Sequence, residues 1–343
     1  MTAADGPIRW GIVATGRIAH TLAGELRLVE DAQIVAVSSR ARERAVRFAD
    51  EFEVERAYGS VDDLLADGDV DVVYVATPHA QHAEIVDRAL DARKAVLCEK
   101  AFTTSLADAE RLAQKARDLG VFCMEAMWMR FVPLIVKARR IVASGGIGEV
   151  RSIGADLGFR AEQGSDHRLW NPVLGGGALL DVGIYPVSFA QMLLGSPDTV
   201  AVHGSLSADG VDAEAGLLLG WDGGAHALID TSLVAYLAGA ASVVGTHGRL
   251  DVLPLLYRPP RLVHTGSAGE VKEYEQQPEG LGYMPMLREV QRCVREGRTE
   301  SDEMPLADTV AVMRILDRAL HGLGVSYPEP EPVDPGGSSA VPR

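Results

Sequence analysis

Two hydrophobic periodicities alternate along the first 125 residues. IRWGIVA, AQIVAVSS, DVVYVAT, AVLCE and GVFCME are short, nearly continuous apolar runs, the pattern of parallel strands buried on both faces. Between them, apolar residues recur at helical spacing over about 17–29, 41–52, 79–92 and 105–119. Ser105 with Asp108 three positions on is a variant of the capping box and marks the start of the last of these helices. Strictly alternating strands and helices predict a doubly wound α/β domain.

Beyond residue 125 the pattern changes. A helix opens near Pro133 and stops at Ser144-Gly145-Gly146. The runs EVRSIGADLGF, TVAVHGSLS, AGLLLGW and GAHALIDTSL follow, mostly joined by Gly or Asp turns, and predict an open, mainly antiparallel sheet. Longer helices are expected over 178–194, 283–297 and 306–323. The expected organisation is a nucleotide-binding α/β domain over 1–125, an α+β domain for substrate binding and dimerisation over 126–327, and a tail over 328–343. That tail is rich in Pro, Gly and Ser, a composition that predicts mobility.

Composition narrows the partners. With 343 residues, 47% hydrophobic and 24% charged, the chain suits two globular domains. A net charge of -15 argues against nucleic acid or an anionic membrane as partner and points to small molecules. Cys98, Cys123 and Cys293 form no CxxC pair and no secretory leader is recognised, so reduced thiols and a cytoplasmic location are expected. No apolar run is expected to span a membrane, since the longest are interrupted by Asp181 or diluted by Gly and Ser. The histidines show neither HxH nor HExxH spacing, and Asp166, His167 and His203 stand ungrouped, so no metal is expected.

The stretch WGIVATGRIAH, residues 10–20, reads as a strand running through a tight turn into a helix, which would set free backbone N–H groups and a positive helix end against a pyrophosphate. The GxGxxG fingerprint is degraded to Ala14, Gly16 and Ala19, with Thr15, Arg17 and Ile18 between. Gly16 keeps the position where a side chain would most obstruct the phosphates. Where a NAD-preferring site carries an acidic residue, this chain has Ser38, Ser39 and Arg40. Two hydroxyls and a guanidinium suit a 2'-phosphate, so NADP is expected in preference to NAD. Thr77, Pro78 and His79 open the helix after DVVYVAT, at the strand edge where such sheets bind ligands, with His82 beside them.

In this order, WGIVATGRIA, VYVATPHAQH, CEKAF, MEAMWMRF and GGGALLDVGIYP resemble the glucose-fructose oxidoreductase/inositol dehydrogenase/MocA family, and within it the branch of dimeric dihydrodiol dehydrogenases and NADP-dependent D-xylose 1-dehydrogenases. The resemblance covers nearly the whole chain. It implies a Rossmann domain followed by an open-faced sheet domain that forms a homodimer. It also implies an NADP-dependent oxidoreductase acting on a sugar or vicinal diol, with Glu99 and Lys100 at the nicotinamide and Arg168 on the cofactor. Two departures matter. Ala101 replaces the family's usual proline, which is expected to loosen the placement of Lys100. Tyr185 stands where many members carry histidine, which is the pattern of the dihydrodiol, xylose and glucose-fructose branches.

Oxidising a carbinol needs a base for the hydroxyl proton while hydride leaves, and reduction needs the reverse. Tyr185, with an ordinary pKa of about 10, is expected to be lowered by the Lys100 ammonium. Asp181, four residues earlier, is expected one helical turn away on the same face, binding substrate or orienting the lysine. Trp128 and Arg130, after the strand ending at Glu125, are expected on the substrate-pocket wall, and Trp170 over its mouth. Two rival readings are a nicotinamide-retaining glycoside hydrolase and a non-catalytic NADP-binding sensor.

Overall fold

The computed structural model of the chain describes residues 6–162, 167–277, 279–329 and Val333. Its first layer runs β1 (Ile8–Val13), α1 (Arg17–Leu26), β2 (Ala32–Ser38), α2 (Arg42–Phe52), β3 (Arg56–Tyr58), α3 (Val61–Leu65), β4 (Val72–Val75), α4 (His82–Asp91), β5 (Ala95–Cys98), α5 (Leu106–Leu119) and β6 (Cys123–Glu125). The six strands are parallel in the order β3-β2-β1-β4-β5-β6. Every residue of β4 is buried, which is why its run reads as unbroken apolar sequence. Gly11 in β1 is required by packing, because a Cβ there would lie 2.9 Å from Val70 Cγ1. The Ser105 cap forms as expected: its Oγ accepts from the Asp108 N–H at 3.2 Å, and Gly120 ends α5 in the left-handed region. The short elements β3 and α3 are too brief for periodicity to announce them.

The second layer follows with α6 (Pro133–Ala143), β7 (Val150–Gly158), α7 (Ile184–Leu194), β8 (Thr199–Leu206), β9 (Asp212–Gly220), β10 (His226–Ser232), β11 (Ala241–Gly245), β12 (Gly248–Val252), β13 (Arg261–Gly266), β14 (Val271–Glu275), α8 (Met284–Arg295) and α9 (Leu306–Leu323). Its eight strands, ordered β14-β13-β12-β11-β7-β10-β9-β8, pair antiparallel except for β7 with β10. Along β9 and β10 burial alternates, with Leu217, Leu219 and Ile229 inward and Leu218 and Leu228 outward. The inner face packs on α7 and α9, and α9 also packs on α5, so one helix ties both layers together.

Two expectations are corrected. Residues 178–194 do not form one regular helix: Leu179–Gly183 is a π-helical turn leading into α7. There the buried Asp212 carboxylate accepts the Leu179 N–H at 2.6 Å, and a Cβ on Gly183 would come within 3.1 Å of Thr231. The stretch Pro172–Leu194 is, by length and composition, long and apolar enough to cross a membrane, contrary to expectation. It lies instead in the core of the second layer as a short 3-10 turn, the π-helical turn and α7, with 89% of its most apolar 18-residue window buried. Most of the tail lies outside the described residues, but Val333 is buried and donates its N–H to the Glu84 carboxylate at 3.1 Å.

Candidate active site

Strand order reverses between β1 and β4, and the crevice at the carboxyl ends of such strands is where doubly wound sheets take ligands. A cleft of about 590 Å³ lies there. Ala14, Thr15 and Gly16 line it from the first turn, Ser38, Ser39 and Arg40 from the end of β2, and Thr77 and Pro78 from the end of β4. Ala14 holds φ at +87°, a conformation that favours glycine, at the position where the fingerprint would carry one. A Cβ on Gly16 would meet no atom within 4 Å, so the space before the N-terminus of α1 is open. Arg17 and Ile18 occupy that helix's first turn without lining the cleft.

Several polar groups around this cleft are unspent. Ser38 Oγ and Thr77 Oγ1 are buried without a hydrogen-bond partner, although buried hydroxyls are normally satisfied. Arg40 is joined in the lining by Arg44 from α2, which the sequence reading did not single out although it lies in the basic run SSRARER. Neither guanidinium has an acidic partner among the described residues, and no carboxylate lines the cleft. Open backbone N–H groups, orphaned hydroxyls and free guanidinium groups fit a phosphate-rich dinucleotide.

The turn after β5 carries Glu99 and Lys100, and it is held at each residue. Tyr74 donates to Glu99 Oε1 at 2.5 Å. The Lys100 carbonyl faces His79 Nε2 at 3.2 Å, and the Ala101 carbonyl faces His82 Nδ1 at 2.8 Å. The Phe102 N–H donates to Glu125 Oε1 at 3.1 Å. The expected loosening by Ala101 is therefore not found. His79 and His82 do not line this cleft: both rings are buried, and they hold the turn through its carbonyls. Burial, then His82 and Lys100, push the His79 imidazole down to about 3, so it is neutral. Burial lifts the Glu125 carboxyl to about 7.

Lys100 reaches across to the π-helical turn, where its Nζ donates to the Asp181 carbonyl at 2.5 Å and lies 3.5 Å from Oδ1. Arg168 donates to the same Oδ1 at 2.9 Å. Burial would raise the Asp181 carboxyl, but Lys100 and Arg168 overcome it and hold the group below the usual carboxylate range. The Tyr185 oxygen accepts from Trp128 Nε1 at 2.9 Å, and Lys100 Nζ sits 4.9 Å from the Tyr185 ring centroid. Here the expected electrostatics are corrected. Burial, followed by the charge of Glu99, raises the Tyr185 phenol well above its ordinary value, so Lys100 does not turn it into a ready base.

Trp128 takes its place in this cluster, stacked at 4.5 Å on Tyr283 and tilted against Tyr257, two aromatic residues that no linear pattern marks. Arg130 does not. Its guanidinium is fully buried and spent on Ser188, Gln191 and Asp308, which ties α7 and α9 to the segment after β6. Trp170 is buried within its own loop, its indole N–H donating to the Glu162 carbonyl at 2.7 Å.

Comparison with known proteins agrees with this geometry. Residues 8–127 match the model of the oxidoreductase family with an NAD-binding Rossmann fold, and residues 135–251 match the GFO/IDH/MocA C-terminal domain. The trans-1,2-dihydrobenzene-1,2-diol dehydrogenase of Mus musculus is 37% identical over 334 residues, spanning 94% of this chain and 98% of that protein. Its Homo sapiens counterpart is 34% identical over 334 residues with the same coverage. Among solved structures, KijD10, a 3-ketoreductase from Actinomadura kijaniata in complex with NADP and TDP-benzene, has a TM-score of 0.81 at 29% identity, covering 92% of this chain and 98% of that one. Identity with the diol dehydrogenases across nearly the full length, and matches in both layers, lead to one conclusion: the chain belongs to the GFO/IDH/MocA family of NAD(P)-dependent oxidoreductases.

Proposed function

We propose that the protein is an NADP-dependent dehydrogenase that transfers hydride between the nicotinamide and a carbinol of a vicinal diol or sugar, with Tyr185 handling the hydroxyl proton. The observation that carries this reading is the meeting of Lys100, Asp181, Tyr185 and Trp128, from two layers, beside a cleft suited to a dinucleotide. A cofactor held in the cleft would give hydride as NADPH and take it up as NADP. Because the Tyr185 oxygen accepts the indole N–H, its own O–H is free to donate to a substrate oxygen. In reduction the phenol protonates the forming alkoxide, and the Trp128 N–H steadies the phenolate left behind. Lys100, held by ionised Asp181, sets a positive charge beside the reacting oxygen, and oxidation runs the same proton path in reverse. Arg168, braced on Asp181 and half exposed, stands where it can contact cofactor or substrate.

Cofactor preference rests on Ser39, Arg40 and Arg44 in a cleft without carboxylates, and on NADP in the related 3-ketoreductase. The substrate class rests on the aromatic faces of Trp128, Tyr257 and Tyr283, which suit the ring of a cyclic diol, and on the activity for which the diol dehydrogenase relatives are named. The test is absorbance of NADPH while trans-dihydrodiols and aldoses are offered with NADP. Stoichiometric accumulation is expected. Turnover with no net NADPH would overturn the reading in favour of a hydrolase that recycles its cofactor.

The same reading includes a homodimer through the open sheet. Leu218 and Leu228 are register partners on its outer face, 48% and 56% exposed, with Tyr236 close by at 79%. Apolar surface of this kind is covered in stable proteins, and a second copy offers a matching face. Light scattering at micromolar concentration is expected to give the mass of a dimer, and a monomer would overturn the assignment.

A further inference from the structure

α1 is the helix whose N-terminus faces the nucleotide cleft, and its inner side is otherwise alanine and leucine. Near its far end stands Glu25, which is 4% exposed and has no basic partner among the described residues. A buried carboxylate without a cation is costly unless hydrogen bonds replace its water. Those bonds come from a short turn in the other layer: Oε1 accepts the Leu281 N–H at 3.0 Å and Oε2 the Tyr283 N–H at 3.3 Å.

The turn, Gly280-Leu281-Gly282-Tyr283, is confined from both sides. Gly280 and Gly282 hold φ at +55° and +101°, in the region that favours glycine. A Cβ on Gly280 would come within 2.3 Å of Glu25 Oε1, and a Cβ on Gly282 within 3.0 Å of Trp128 Cζ3. Its other holds are the Arg258 guanidinium, which donates to the Leu281 carbonyl at 3.3 Å, and the Gly282 N–H, which donates to the Glu279 carbonyl at 3.0 Å, while the Leu281 side chain is 49% exposed. Immediately afterwards Tyr283 stacks on Trp128 with the rings 26° from parallel, and Trp128 donates to the Tyr185 oxygen. A continuous line of contacts thus runs from α1 through Glu25, the turn, Tyr283 and Trp128 to Tyr185.

We propose that Glu25 is a positioning residue: it ties the nucleotide-binding helix to the aromatic cluster around Tyr185 and acts through Tyr283 on the setting of Trp128. This rests on the proposed role of Tyr185, and its test separates the two. Glu25→Gln presents an amide N–H₂ where one backbone N–H needs an acceptor, so the turn loses one hold while the shape of the side chain is kept. The substrate KM is expected to rise about tenfold, the change that loss of a hydrogen bond to a charged group produces, and kcat to fall as the Trp128 N–H loses its line on the Tyr185 oxygen, with the Kd for NADP unchanged. Tyr283→Ala should raise KM similarly, and the double variant should be no worse than Tyr283→Ala alone, because Glu25 acts through that ring. Additive effects, or a fall in the thermal midpoint with KM unmoved, would overturn the proposal.

A readout without turnover stands beside these. The fluorescence contributed by Trp128, taken as the difference from a Trp128→Phe background, should shift in Glu25→Gln. An unshifted signal sinks the positioning role whatever the substrate. A shifted signal in a protein that turns over no diol or sugar leaves the role of Glu25 standing and removes only the proposed reaction.

Discussion

The two ends of the cleft are built on opposite plans. At the nucleotide end, all of the lining but Val333 comes from one layer, and its polar groups are unspent: two buried hydroxyls have no partner and two guanidinium groups face no acid among the described residues. At the catalytic end, residues from both layers meet, and nearly every polar atom is engaged within the protein. Lys100 is held by Asp181, Asp181 by Arg168, and the Tyr185 oxygen by Trp128. The contrast teaches what each end is for. A binding cleft keeps donors free for the phosphates that will take them. A centre that must stabilise developing charge is organised beforehand, so that no rearrangement is needed when the charge appears.

Breaking the organised end should cost most. Tyr185→Phe keeps the ring and removes the proton-handling oxygen, so kcat should fall about 100-fold to 10,000-fold while the Kd for NADP holds. In the intact enzyme the raised phenol stays protonated across the neutral range. Reduction should therefore hold its rate until strongly alkaline pH, while oxidation climbs with pH; initial rates in both directions check this, and an oxidation rate that levels off near neutrality would contradict the raised phenol.

At the open end a single group should matter less but more selectively. Arg40→Ala should weaken NADP by about 10-fold to 100-fold, the range of one charge-assisted hydrogen bond, and leave NAD nearly untouched. Equal losses for the two cofactors, measured by titration, would remove Arg40 from the 2'-phosphate.

A subtler test addresses the brace beneath Lys100. The Glu125 carboxyl, raised by burial to about 7, keeps a proton in the folded chain at pH values where the unfolded chain has lost it. Stability from this group is complete below the ordinary carboxylate range and falls as pH rises toward 7. Glu125→Gln should flatten that fall in denaturation midpoints taken across the window, while an unchanged slope would show that the proton resides elsewhere.

The smallest effect is expected at Ala14. Its φ of +87° costs an alanine about 1–2 kcal/mol, while glycine loses about 0.5–1 kcal/mol in chain entropy. Ala14→Gly should thus stabilise the protein by no more than about 1.5 kcal/mol without loss of NADP affinity. Destabilisation in thermal unfolding would mean that the alanine methyl makes a contact worth more than the strain.

The two ends also differ in how far the sequence announces them. The nucleotide end is legible because its parts are local: a strand, a turn and a helix end fall within WGIVATGRIAH, and Ser38-Ser39-Arg40 close the next strand. Backbone sterics and the period of apolar residues act over a few positions, so the α/β layer, strands β7–β10 of the open sheet and most helix limits follow from linear pattern alone, whereas β11–β14 carried no comparable run. Lys100, Asp181, Trp128 and Tyr185 were legible as residue types within motifs, but their electrostatics were not. Whether Lys100 lowers a phenol or clasps a carbonyl depends on burial and on the distance to Glu99, and both arise only when the two layers close. For the same reason Arg130, promising as a pocket arginine, proved to be a fully buried brace, and Tyr257, Tyr283 and Glu25 carried no signal of their place. The sequence by itself determined most of the longer strands and helices and which chemistry is on hand. Tertiary structure decided which groups meet and how they are charged, because desolvation and Coulomb interaction depend on neighbours brought together from distant parts of the chain.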